Sequence, residues 1–199
     1  MNIKALSLSA LTLGMVAVSA TSQAFTVATF ADPSVSGSTP LFTFDSTANT
    51  LDGGWSLLGL MLETPGWAGA DVADAKFSMT TVALTPLVAN VYTTNGGTIN
   101  FTDQANNAVM QITFGSGVFV ANNGFGGSDF SGNIVSITGP GIPGGWSQET
   151  FNFSFANPVI NGNMSTYTAS FTSSAVPEPA TMLALASGVG MLAARRRRK

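Results

Sequence analysis

Two stretches late in the chain alternate strictly between apolar and polar side chains. Along residues 150–155, Phe151, Phe153 and Phe155 fall on one side and Thr150, Asn152 and Ser154 on the other. Residues 164–172 repeat the pattern, with Tyr167, Ala169 and Phe171 opposite Thr166, Thr168, Ser170 and Thr172. A period of two is the period of a β-strand, and one polar side means a sheet packed on one face only.

Shorter segments follow the same rule. Strands are expected over 25–31, 41–44, 55–63, 76–84, 88–94, 98–102, 109–114, 118–121 and 134–138. Asp52-Gly53-Gly54 reads as a turn, and Asn95-Gly96-Gly97 and Gly115-Ser116-Gly117 read as hairpin turns. Residues 122–133 and 139–145 read as glycine-rich loops, and 158–163 as a turn. No amphipathic helix interrupts them. About nine or ten short strands spaced by turns predict an all-β fold, a single antiparallel β-sandwich or jelly-roll-like domain. The chain has no cysteine, so its core must hold it together without disulfides.

The two ends depart from this body. Lys4 precedes an uncharged apolar run from Ala5 to Ala20, and Ser22-Gln23-Ala24 sets small residues before a cut after Ala24. This is the pattern of a secretory signal peptide, handled by the general secretion machinery and signal peptidase. Ala20 offers a weaker position for the same cut. At the other end, Val176-Pro177-Glu178-Pro179 leads into the uncharged residues 180–194 and then Arg195, Arg196, Arg197, Arg198 and Lys199. Each proline fixes its own φ and turns the preceding residue away from helix, so Glu178 is held extended between them. As a helix, 180–194 would rise only about 22 Å, short of the roughly 30 Å hydrocarbon core. Such a segment spans by thinning the bilayer, with arginines reaching to the interface. The five cations stay in the cytoplasm, on the same side as Lys4.

This tail resembles the sorting signal of the PEP-CTERM family of exported bacterial proteins. The resemblance rests on Pro177, Glu178 and Pro179, on the apolar run 180–194, and on the basic stop Arg195–Lys199; it does not reach further into the chain. It implies recognition by an exosortase, a membrane-embedded cysteine transpeptidase or protease, and cleavage near the motif. It also implies a transient inner-membrane anchor in a Gram-negative bacterium that makes exopolysaccharide, with the mature protein at the cell surface or outside. The chain then divides into a signal-peptide helix over 1–24, a β domain over 25–174, and a sorting segment over 175–199 with its transmembrane helix. Residues 173–175, Ser-Ser-Ala, read as a linker to the motif.

With both ends removed, the body keeps one cation, Lys76, against nine carboxylates, a net charge of −8. A surface with one lysine and no arginine cannot grip a phosphate backbone, so nucleic-acid binding is excluded. The absence of histidine and cysteine removes the Ser-His-Asp and Cys-His nucleophile systems and the usual zinc and copper ligands. Carboxylates remain as the acid–base groups, and a glycosidase needs two across a cleft. Glu63 and Glu149 are the body's two glutamates, and Glu149 lies beside a Gly-Pro-Gly loop and Trp146. Calcium is the other chemistry open to oxygen donors. Gly126-Gly127-Ser128-Asp129-Phe130 is similar to the glycine-aspartate turns of β-roll repeats, but stands as a single copy; Asp71 and Asp74 form a second weak cluster. Trp55, Trp67 and Trp146 each adjoin glycine, and an indole on a loop either stacks on a sugar or caps the core.

These residues point to an exported protein with a structural or adhesive role in an exopolysaccharide or biofilm layer, with no catalytic residues and no cofactor. The alternatives are a carbohydrate-binding module, with or without calcium, and a carboxylate-based polysaccharide hydrolase.

Overall fold

A computed structural model describes residues 23–67, 70–121 and 128–177. The signal-peptide helix, the transmembrane helix and the basic stop expected from the sequence lie outside the described residues. A compact unit closes over Phe25–Ala175. It is all β: β1 Phe25–Phe30, β2 Phe42–Asp45, β3 Thr50–Trp55, β4 Lys76–Met79, β5 Val82–Val88, β6 Val91–Thr102, β7 Ala108–Val120, β8 Ser128–Thr138, β9 Trp146–Asn161 and β10 Met164–Pro177.

The strands pair in the order β10-β2-β3-β4-β6-β7-β8-β9, and β9 pairs with β10 to close the ring. Ten strands fill eight positions because two positions are shared. β10 pairs with β2 over Met164–Tyr167 and with β1 over Phe171–Ala175 on the same edge. β3 likewise pairs with β5 at Thr50 and Leu51 and with β4 at Gly54 and Trp55.

The result is a closed antiparallel barrel, not the sandwich or jelly roll expected from strand count and turn spacing. Closure removes the open edges that two separate sheets would leave. Eight positions enclose an interior that side chains alone can fill. Here the filling is phenyl rings. Phe153 is fully buried and meets the rings of Phe30, Phe42, Phe77, Phe130, Phe151 and Phe171 at centroid distances of 6.2, 4.9, 5.8, 6.4, 6.0 and 4.8 Å. The outer face carries mostly Thr, Ser and Asn, with scattered exposed apolar residues such as Leu87, Ile134 and Ile160. A membrane-spanning barrel reverses this arrangement, with its apolar band outside.

The glycine-rich triplets are where sequence and structure part. β6 runs straight through Asn95–Gly97, β7 through Gly115–Gly117, and β3 through Asp52–Gly54. None of these is a turn. The strands reverse at neighbouring sites, with Asn106 (φ 64°) and Asn90 (φ 62°) taking the left-handed conformation. Many of the strand glycines are sockets for rings. Gly53 faces Phe42 and Gly97 faces Phe114 directly across the ladder. A Cβ on Gly97 would sit 2.8 Å from the Phe114 ring, and one on Gly117 would sit 2.8 Å from Phe130. On Gly53 it would overlap Phe42, and on Gly132 it would overlap Phe151. The barrel can hold so many rings because the opposing positions give up their side chains.

One prediction follows at Gly132. Alanine there must push Phe151 into Phe114 and Phe130, whose rings already lie at 5.3 and 5.4 Å. Overpacking of this kind costs about 1–3 kcal/mol. Urea denaturation of Gly132→Ala is expected to show that loss, and Gly144→Ala, where an added Cβ meets nothing within 4 Å, is expected to show almost none.

Candidate functional site

β1 begins at Phe25, one residue after the expected signal-peptidase cut at Ala24, and pairs antiparallel with the end of β10. The register places Phe25 opposite Ala175 and Thr26 opposite Ser174. Both chain ends therefore depart from neighbouring strands at one rim of the barrel. Ser173 locks the pair: its Oγ accepts from the Ala28 N–H at 3.2 Å and donates to the Ala28 carbonyl at 3.2 Å. Residues 173–175 are thus no linker. Ser173 and Ala175 point inward and are buried, and β10 continues to Pro177. Short polar side chains suggest a linker, but here the alternation of β10 carries on through them. Of the sorting motif, Pro177 ends β10; Glu178, Pro179, Arg195, Arg196, Arg197, Arg198 and Lys199 lie outside the described residues.

The rim around this exit is aromatic. Trp146, at the start of β9, meets Phe25 edge to face at 5.3 Å. Phe25 covers Gly66, and Trp67 lies within 4 Å of the position a Cβ on Gly141 would take. Phe25, Trp67, Ile142 and Trp146 are partly buried against the core. Trp55 is different. Its whole side chain is buried in β3; its indole N–H, like that of Trp67, is buried with no acceptor among the described residues. It caps the core and offers no face to a sugar.

The carboxylates are mostly occupied in shaping loops. Asp71 accepts the Thr64 N–H at 2.9 Å and Asp74 the Gly59 N–H at 2.7 Å, so both stitch the long connection between β3 and β4. Asp45 accepts from Thr47 and Ala48 at the β2–β3 turn, at 2.7 and 2.9 Å. Asp129 lies on β8 and accepts from Asn152 Nδ2 at 3.4 Å. Gly126 and Gly127 lie outside the described residues. Among the described residues no three acidic side chains converge on a point. Lys76 donates to the Gln104 carbonyl and to Asn106 Oδ1, each at 3.2 Å, and so is tied into the β6–β7 turn.

A recess of about 340 Å³ crosses the outer face of β1, β9 and β10, with Thr29, Asn152, Ser154, Ser170 and Thr172 along it and Glu63 at its side. The backbones of Thr29 and Glu63 exchange two hydrogen bonds of 2.9 Å, which fixes Glu63 beside β1. Glu149 does not line it. The two glutamates singled out from the sequence therefore do not share a cleft, and Glu63 is the one carboxylate in the recess.

Glu149 and Asp103 are shifted in opposite directions from their ordinary values. Partial burial pushes the Glu149 carboxyl above its ordinary value of 4.5, against the pull of a hydrogen bond from the Ile137 backbone. The Asn107 side chain and then its backbone N–H, both at 2.8 Å, hold Asp103 below its ordinary 3.8. A raised carboxylate binds its proton more tightly in the fold, so its stabilisation is complete below pH 4.5 and is lost as pH rises through the raised value. Asp103 contributes above pH 3.8 and loses that contribution as pH falls through its lowered value. Glu149→Gln is accordingly expected to melt higher than the parent at neutral pH. The difference should vanish near pH 4, which paired thermal melts across that range would show.

Comparison with known proteins adds one finding. Residues 175–199 match the family model of the PEP-CTERM protein-sorting motif. No curated protein and no solved structure matches the chain. The motif implies an exported protein, a transient membrane anchor before processing, and an exosortase as the processing partner. The sequence singles out Trp67 and Trp146 one by one but not the rim they form, since its residues come from β1, the β3–β4 connection, the β8–β9 loop and β9.

Proposed function

We propose that this chain is the precursor of a non-enzymatic surface or matrix protein. Its barrel is exported, held briefly at the inner membrane, cut by an exosortase, and delivered to the exopolysaccharide layer in a structural or adhesive role. The observation that carries this reading is a sorting motif that begins where the barrel's last strand ends. A closed barrel with a ring-filled core suits a protein that must persist outside the cell without disulfides. Its outer face of hydroxyls and amides suits contact with hydrated polymer.

Carbohydrate binding is the second reading, and the recess beside Glu63 is what favours it. Hydroxyl and amide side chains spaced along three adjacent strands match the hydrogen-bonding groups of a sugar chain. Trp55 has no part in it.

Intact-mass measurement on protein from its native cell, fractionated into membrane, surface and medium, tests the main reading. The expected mature species starts at Phe25, ends near Pro177, and is found at the surface or in the medium. Mature material that kept Arg195–Lys199, or that sat in the cytosol, would overturn it.

A further inference from the structure

We infer that the aromatic rim around Phe25, Trp67, Ile142 and Trp146 rests on the lipid headgroup surface while the precursor is anchored. The inference depends on the tail being a membrane anchor, as proposed above.

Chain length sets the first constraint. β10 runs to Pro177, and only Glu178 and Pro179 separate it from the uncharged run that starts at Ala180. Three peptide steps reach at most about 11 Å. If 180–194 enters the bilayer, the rim from which β10 departs cannot stand far above the headgroups. The opposite end of the chain adds a second tether. Phe25 pairs with Ala175, so an uncut signal peptide leaves from the same place and enters the same membrane.

Composition supplies the second argument. No charged residue occurs from Phe130 to Gln148, which includes the β8–β9 loop, nor from Thr64 to Ala70, nor from Phe25 to Ala31. From Thr150 to Pro177 there is again none. The carboxylates that border this arc are tied down or lie at its ends: Glu149 is part-buried and hydrogen-bonded to the Ile137 backbone, Asp71 accepts the Thr64 N–H, Glu63 is held beside β1, and Glu178 follows Pro177 in the motif. Lys76 and Asp103 stand on the same rim at the β6–β7 turn, four strand positions from β10. Trp146 and Trp67, part-buried and flanked by Gly and Pro loops next to a membrane entry point, supply the aromatic surface of an interfacial belt, although the Trp67 indole N–H is itself buried. A lipid headgroup layer fits this surface better than a charged partner does.

One consequence concerns processing. The exosortase motif would be presented at the bilayer surface with no slack between barrel and membrane, within reach of a protease embedded there.

Tryptophan quenching tests the inference on the full, uncleaved chain. The chain is reconstituted into phosphatidylethanolamine–phosphatidylglycerol vesicles, with and without bromine near the headgroup end of the acyl chains. In Trp55→Phe/Trp67→Phe, the remaining Trp146 is expected to lose emission to the brominated lipid, as an indole at the interface would. In Trp67→Phe/Trp146→Phe, the core Trp55 is expected to keep its emission. Trp146→Phe alone, in the otherwise unaltered chain, should lower the quenching to the share of Trp67, and guards against a double variant that folds poorly. A chain that floats with the vesicles while Trp146 emits equally in both overturns the inference and leaves the anchor intact. A chain that does not float at all removes the anchor, and the inference falls with it.

Discussion

Phe153→Ala is expected to destabilise the barrel by about 3–5 kcal/mol, the range for emptying a buried phenyl site. Phe153 is fully buried and lies at the crossing of six ring contacts contributed by β1, β2, β4, β8, β9 and β10. Its neighbours are planar and already fitted to one another, so they cannot collapse into the space. Edge-to-face geometry with Phe42 and tilted packing with Phe171 add a contribution beyond area alone. A domain of this size has only about 5–15 kcal/mol in total. The variant should therefore melt far below the parent or fail to accumulate. Thr172→Ala, on the exposed outer face of β10, should stay within about 0.5 kcal/mol. Equal denaturation midpoints for the two variants would show that the ring cluster is not the centre of the core.

The second large effect is expected in the cell. Replacing Pro177, Glu178 and Pro179 together with alanine should leave the tail uncut. Each proline disfavours helix in the residue before it; three alanines restore helical freedom and remove the carboxylate. Protein should then collect in the membrane fraction, with Arg195–Lys199 still present in its mass. The barrel itself should not notice. Pro177 is exposed at the last position of β10, so the denaturation midpoint of the variant should match the parent. Normal release of a trimmed product would show that the motif does not direct processing.

How much of this could be read from the chain alone differs by element. β9 and β10 were legible because their pattern is local: each apolar residue sits two positions from the next, and each points inward in the barrel. The sorting tail was legible for the same reason, since motif, apolar run and basic stop are contiguous. The glycine triplets misled. Gly96-Gly97 and Gly53-Gly54 carry the composition of a turn, yet Gly97 and Gly53 each face a ring on the neighbouring strand, and no local window contains both partners. Residues 173–175 look like a linker until β1, far off in sequence, supplies Ala28 as the partner of Ser173. The sequence leaves Trp55 either stacking on a sugar or capping the core, and its place in β3 decides for the core.

Sequence by itself determined that the chain is built of strands, that its middle carries almost no positive charge, and that its last residues are a sorting signal. These follow from the order of neighbouring residues and from the charges they bear. Tertiary structure decided that the sheet closes into a barrel, that glycines seat phenyl rings, and that the first and last strands leave from one rim. Those outcomes depend on pairing between residues far apart in the chain, where the choice between two packed sheets and a closed ring is made by how side chains from different strands fill one interior.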